Sequence, residues 1–120
     1  MATYVKDVND GLLSGANLIP SSFEDLAVDT DGGYGLKVET STQSALGPIV
    51  RSSNYDTFGG NEVGGLSTVY SSIFSSYTSS PNTGQVSGGR TSTMVKAKII
   101  TSTPAGLYTD TIIFLMITNF

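Results

Sequence analysis

Asp29-Thr30-Asp31-Gly32 is the stretch whose residue types and spacing come nearest to a chemical site. Carboxylates at alternate positions followed by glycine suit a hard cation, because their oxygens can wrap it while the glycine permits a sharp turn. The pattern then stops. Gly33 and Tyr34 stand where further oxygens are needed, and no glutamate closes the loop at the EF-hand spacing. The segment therefore reads first as a hairpin turn, with Asp29 and Asp31 as a secondary calcium candidate. Paired carboxylates can also hydrolyse glycosides. Glu24, Asp25, Glu39 and Glu62 are the candidates, and no motif gathers two of them around a pocket, so they read as solvated turn and strand-face charges. Gly59-Gly60 and Gly88-Gly89 lack the Lys-Ser or Lys-Thr pair and following helix of a phosphate loop. Six tyrosines without a tryptophan suit core or interface packing better than a sugar-binding platform.

Two absences narrow the chemistry further. The chain has no cysteine, hence no disulfide framework, thiolate zinc site or cysteine nucleophile. It has no histidine, which removes the commonest general base and metal ligand and every Ser-His-Asp triad. The expectation is a protein that is not an enzyme and carries no cofactor. Six Lys and Arg against ten Asp and Glu give a net charge of -4, which offers little to nucleic acid or to an anionic membrane. Ser and Thr are together about twice as numerous as charged residues, and 14 glycines accompany them. That composition describes a surface kept in solution by hydroxyls and turns, as in secreted and virion β-proteins. The longest fully apolar run, from Ile112 to Ile117, is six residues, far short of a membrane span. MATYVKDVND, at the start, has no apolar core of a secretion signal. Either the chain is used without secretion, as phage virion proteins are, or Met1 replaces a leader.

The elements that must position these residues are strands. A chain of 120 residues is one domain in size and can hold a single core. Residues 1–25 are apolar but poorly patterned, with a possible strand over residues 3–8 and a break at Pro20; they read as an N-terminal arm or edge strand. Residues 26–120 form the β-domain. Leu26 and Val28, then Leu36 and Val38, alternate with polar residues on either side of Asp31-Gly32, which predicts a hairpin with Lys37 and Glu39 in solvent. Residues 46–51 give a short edge strand with Pro48, and Tyr55 and Phe58 pin the glycine-rich loop that follows. Leu66, Val69, Tyr70, Ile73, Phe74 and Tyr77 have helical spacing, whereas Ser, Thr, Val, Ile and Tyr favour strand. One short helix at 66–78 is therefore the alternative to a strand there. After a loop over residues 79–89, Thr93, Val95, Ala97 and Ile99 alternate with Met94, Lys96, Lys98 and Ile100, predicting a half-buried strand with its lysines in water. A turn at Thr103-Pro104-Ala105-Gly106 leads to a last strand over residues 108–120, expected to pair with it. Tyr108, Ile112, Phe114, Met116 and Phe120 lie on one face of that strand, and Ile113, Leu115 and Ile117 on the other. A strand apolar on both faces needs cover on both. The fold class is all-β, a single β-sandwich of immunoglobulin-like or jelly-roll type.

Thr103-Pro104-Ala105-Gly106-Leu107-Tyr108-Thr109-Asp110-Thr111, followed by an apolar strand, resembles the C-terminal motif of the spore coat U and chaperone–usher pilin-like surface proteins. The resemblance covers about the last 18 residues and implies an immunoglobulin-like sandwich with a polymerising role. Those families usually carry a cysteine pair and a signal peptide, and their last strand alternates Thr with Val; this sequence departs on each point.

Together these features point to a structural subunit of a multi-copy assembly, with partners that are further copies or neighbouring structural subunits. A virion component (capsid decoration, fibre or tail) comes first. An extracellular pilus or surface filament subunit joined by strand exchange comes second, and a small carbohydrate- or calcium-binding module third. Tyr4, Leu12, Leu13, Ile113, Leu115 and Ile117 are the expected interface residues. No nucleic acid, membrane insertion or small-molecule ligand is expected.

Overall fold

The structure is a computed structural model that describes residues 1–44, 49–56, 60–76 and 86–117. Among these residues ten strands run in chain order: β1 Ala2–Asp7, β2 Gly11–Ser14, β3 Asn17–Pro20, β4 Glu24–Asp25, β5 Gly33–Thr42, β6 Ile49–Arg51, β7 Glu62–Val63, β8 Ser71–Ser76, β9 Arg90–Lys98 and β10 Ile112–Ile117. The protein is all-β, with no helix among the described residues. The helix considered at 66–78 is instead strand β8 over Ser71–Ser76. Its serines and Ile73 have little helical preference, and pairing with β1 and β6 decides the matter. Tyr77, Phe58, Pro48 and most of the 79–89 loop lie outside the described residues, as does Phe120.

One four-stranded antiparallel sheet has the order β10-β1-β8-β6. β1, expected in an arm or at an edge, lies inside this sheet, hydrogen-bonded to β10 on one side and β8 on the other. Its alternation explains the placement: Thr3, Val5 and Asp7 are buried, while Ala2, Tyr4 and Lys6 take the other face. β2 and β3 form a hairpin closed by Gly15-Ala16. Gly15 has φ 59 and Ala16 has no positive φ, the arrangement of a type II′ turn.

β5 is the longest strand, buried continuously from Gly33 to Val38. It pairs with β9 along one edge. On its other edge Leu36 exchanges backbone hydrogen bonds with Gly64, and the Val38 amide donates to Tyr55 O at 3.0 Å. β7, just before Gly64, pairs in turn with β4. Glycine is required at this crossing. A Cβ on Gly35 would fall 2.5 Å from Gly64 O and 2.6 Å from a Val63 methyl. The core gathers Val5 and Ile73 from the four-stranded sheet, Ile19 from β3, Tyr34, Leu36 and Val38 from β5, and Tyr55 and Leu66 from the connecting segments. It lies between the sheet and the β5 ribbon.

Four local expectations are corrected. Residues 26–40 are not a hairpin. The Asp25 carboxylate accepts the Ala27 amide, and Asp25 O accepts the amides of Val28 and Asp29, so the chain curls and Val28 is 75% exposed. A local side-chain acceptor has outcompeted strand alternation. Lys37 is buried, not solvated, with Nζ 3.0 Å from the Glu39 carboxylate. From Val95 onward, in β9 and the residue after it, the faces are the reverse of those expected: Val95 and Ile99 are exposed, while Lys96 and Lys98 are half-buried and donate to Gly60 O and Asp29 O. Long lysine stems can cover backbone that short β-branched side chains cannot reach. The last strand pairs with β1 and not with β9.

Candidate assembly surface

β10 consists of six apolar residues, Ile-Ile-Phe-Leu-Met-Ile, and closes one end of the four-stranded sheet. Its inner edge is fixed in register with β1, with Val5 opposite Phe114, Tyr4 opposite Leu115 and Ala2 opposite Ile117. No strand pairs with its outer edge among the described residues. Residues opposite each other in an antiparallel pair share a face. Tyr4, Ile113, Leu115 and Ile117 therefore form one apolar stripe on the outer face of the sheet. At the end of that stripe, Lys6 sets its ammonium 4.9 Å from the centroid of the Tyr70 ring.

The other face of β10 carries Ile112, Phe114 and Met116. Only Ile112 packs against the core. Phe114, Leu115, Met116 and Ile117 are 49%, 39%, 59% and 46% exposed. Four consecutive large apolar side chains thus meet water on both faces of an edge strand. Edge strands that stay unpaired usually carry charge, proline or a bulge, and β10 has none of these.

The six expected interface residues divide. Tyr4, Ile113, Leu115 and Ile117 are brought together. Leu12 instead packs against the core from the β2–β3 hairpin. Leu13 is half-buried there, and its amide and carbonyl both bond Thr109, at 2.9 Å each. Phe114 and Met116 are not among the expected interface residues, but the core ends at Ile112, so they join the exposed set. The signal that could have found them is the uninterrupted apolar run itself, which no one-sided strand requires.

The calcium candidate is a closed loop. The Asp31 amide donates to Asp29 Oδ1 at 3.0 Å, and the Lys98 ammonium takes Asp29 O. Glu24 Oε1 and Asp29 Oδ2 are buried without hydrogen-bond partners, and burial, ahead of the Asp29 and Asp31 charges, raises the Glu24 carboxyl above its ordinary range. Among the described residues, no three acidic side chains converge to hold a metal.

A second acidic group, not singled out from the sequence, lies at the end of β1. Asp7 is 1% exposed, and burial first, then the Asp110 carboxylate, push its pKa from 3.8 up to about 6. The Asp10 amide donates to Asp7 Oδ1 at 3.2 Å; those of Thr111 and Asn9 donate to Asp110 Oδ1 at 2.8 and 3.3 Å. Tyr34 lies beside them, its phenol raised by burial first and by Asp110 second. This arrangement can hold a proton. Its acids sit in none of three surface depressions, which are lined around Ser21 and Ser71, Asn17 and Tyr108, and Leu26 and Lys96; none of the three gathers two carboxylates. Compared with family models, with curated proteins and with solved structures, the chain finds no match.

Proposed function

We propose that this chain is a non-enzymatic structural subunit of a multi-copy assembly, a virion component such as a capsid decoration, fibre or tail protein, joined to its neighbours through β10. The observation that carries the reading is the unguarded β10 edge, apolar on both faces. A further strand added there would satisfy its open backbone groups, and side chains of a neighbour would cover Phe114 and Met116 on one face and Leu115 and Ile117 on the other. Packing of the four-stranded sheet on the β5–β9 ribbon suits a sandwich-type subunit. The molecule is elongated, 54 × 26 × 19 Å, and its hydroxyl-rich surface suits a protein held in place by one face.

Sedimentation velocity on the wild type and on Leu115→Lys tests this. The wild type is expected to self-associate, or to bind its neighbouring subunit. Leu115→Lys should abolish that while keeping the melting temperature within a few degrees. A wild type that stays monomeric at high concentration and binds no structural subunit sinks the reading.

The second reading is a surface filament subunit joined by strand exchange, followed in order by a carbohydrate- or calcium-binding module. The filament reading draws on the Pro104 to Thr111 turn, where the Tyr108 hydroxyl donates to Pro104 O at 2.8 Å and so braces the approach to β10. A secretion signal in the encoded precursor favours the filament; a neighbouring gene for a capsid or portal protein favours the virion. A melting temperature raised by calcium or by a glycan would favour the binding module.

A further inference from the structure

Asp7 ends β1, and Asp110 precedes β10 on the segment that enters the same ladder. They meet where that ladder begins, beside the Asp7–Ile112 pair. Each uses Oδ1 to accept backbone amides. Each has a buried Oδ2 with no hydrogen-bond partner, and the two carboxyl groups are within hydrogen-bonding reach of each other. Two ionised carboxylates can only accept, so neither can satisfy the other. One proton resolves this, since a carboxyl O–H can donate to the opposing carboxylate.

Among the described residues, no positive charge bears on Asp7 to do the same work. The other charged group bearing on Asp7 is Asp10, from the turn after β1. Tyr34, from β5, is a neutral phenol within hydrogen-bonding reach of Asp110 and can give it one O–H donor, which leaves Asp7 Oδ2 without one; Tyr55, from the loop after β6, faces Asp7 as a neutral phenol. The Asp7 amide is already spent on Ser67 O at 2.9 Å. Lys6 alternates to the opposite face and lies over Tyr70.

We infer that Asp7 and Asp110 share one proton in a carboxyl–carboxylate hydrogen bond, and that this proton is a pH-dependent clasp at the base of the β1–β10 ladder. Losing it places two negative charges in contact inside the fold. The bonds that bind the two segments here, Val8 N–H to Thr111 O at 3.1 Å and Asn9 N–H to the Asp110 carboxylate at 3.3 Å, are the first to loosen. Control of assembly by the clasp rests on the proposed role of β10; the clasp itself does not.

Carboxyl-carbon NMR of the wild type across pH reads the pair directly. The expected result is an Asp7 step above the ordinary aspartate range that moves down in Asp110→Asn. Two independent steps near the ordinary value overturn the inference. Thermal melts of the wild type, Asp7→Asn and Asp110→Asn provide the second test. An asparagine amide donates permanently, so each variant should lose the pH dependence, whereas the wild-type melting temperature should fall by roughly 5–10 °C between about pH 4.5 and 7.5. A flat or rising wild-type curve, or variants that keep its slope, also overturn it. Should a variant fail to fold, the wild-type titration still decides. Coupled titration in a protein that never assembles supports the clasp and sinks the assembly reading; assembly with uncoupled titration sinks the clasp alone.

Discussion

Leu36 and Gly64 exchange both backbone hydrogen bonds, at 3.0 and 2.8 Å, and so weld the centre of β5 to the loop that carries β7. Leu36 is fully buried at this point, and Gly64 has no room for a side chain: a Cβ there would sit 2.3 Å from Asn54 O and 2.5 Å from the Tyr55 ring. Gly64→Ala is expected to destabilise the protein by about 2–3 kcal/mol, because backbone must shift to admit one methyl. Urea unfolding measures the loss. A stability within about 0.5 kcal/mol of wild type would show that the crossing is looser than described.

Leu36→Ala should cost about 3–4 kcal/mol through the cavity it leaves. Phe114→Ser with Met116→Ser should behave in the opposite way. Both residues are about half exposed, so monomer stability should change by no more than about 1 kcal/mol while self-association drops sharply. Paired chemical melts and sedimentation measurements separate the two effects.

The pH dependence has a definite sign. Asp7 has an ordinary pKa of 3.8 and a folded value raised to about 6. Between those values the folded state binds more protons than the unfolded state, so stability falls as pH rises. This contribution is present in full below about pH 3.8 and is lost by passage through about pH 6, on the order of 2–3 kcal/mol in total. Urea midpoints at about pH 4 and pH 7 check it; for this group the protein is more stable on the acid side.

Removing residues 1–8 should abolish the cooperative melt, since Thr3, Val5 and Asp7 are buried and β1 bridges β8 and β10. Circular dichroism and calorimetry on the truncated chain test this. A truncated protein that unfolds cooperatively but no longer assembles would restore the view of this segment as an external arm.

The strand class and the two-sided character of residues 112–117 were legible in the sequence, because composition and an unbroken apolar run report directly on backbone preference and on cover. Partner choice was not. Val28 looked like a strand residue until the Asp25 carboxylate captured the Ala27 amide. Lys96 and Lys98 looked like solvent-facing markers, yet their stems reach back over the chain to carbonyls at Gly60 and Asp29. The Asp7–Asp110 pair was invisible for a related reason: nothing local marks a carboxylate whose neighbour arrives from the far end of the chain.

The interior position of β1 also governs how the molecule is built. Its ladders join residues 2–5 to residues 71–75, and residues 2–7 to residues 112–117. Most of the polypeptide must therefore be synthesised before the sheet can close, and loop closure over such separations makes folding slow. Until then β1 has an open side for which β10 of another copy is an equally good partner. The fold thus carries its own route to exchanged dimers, and refolding yield should fall as chain concentration rises.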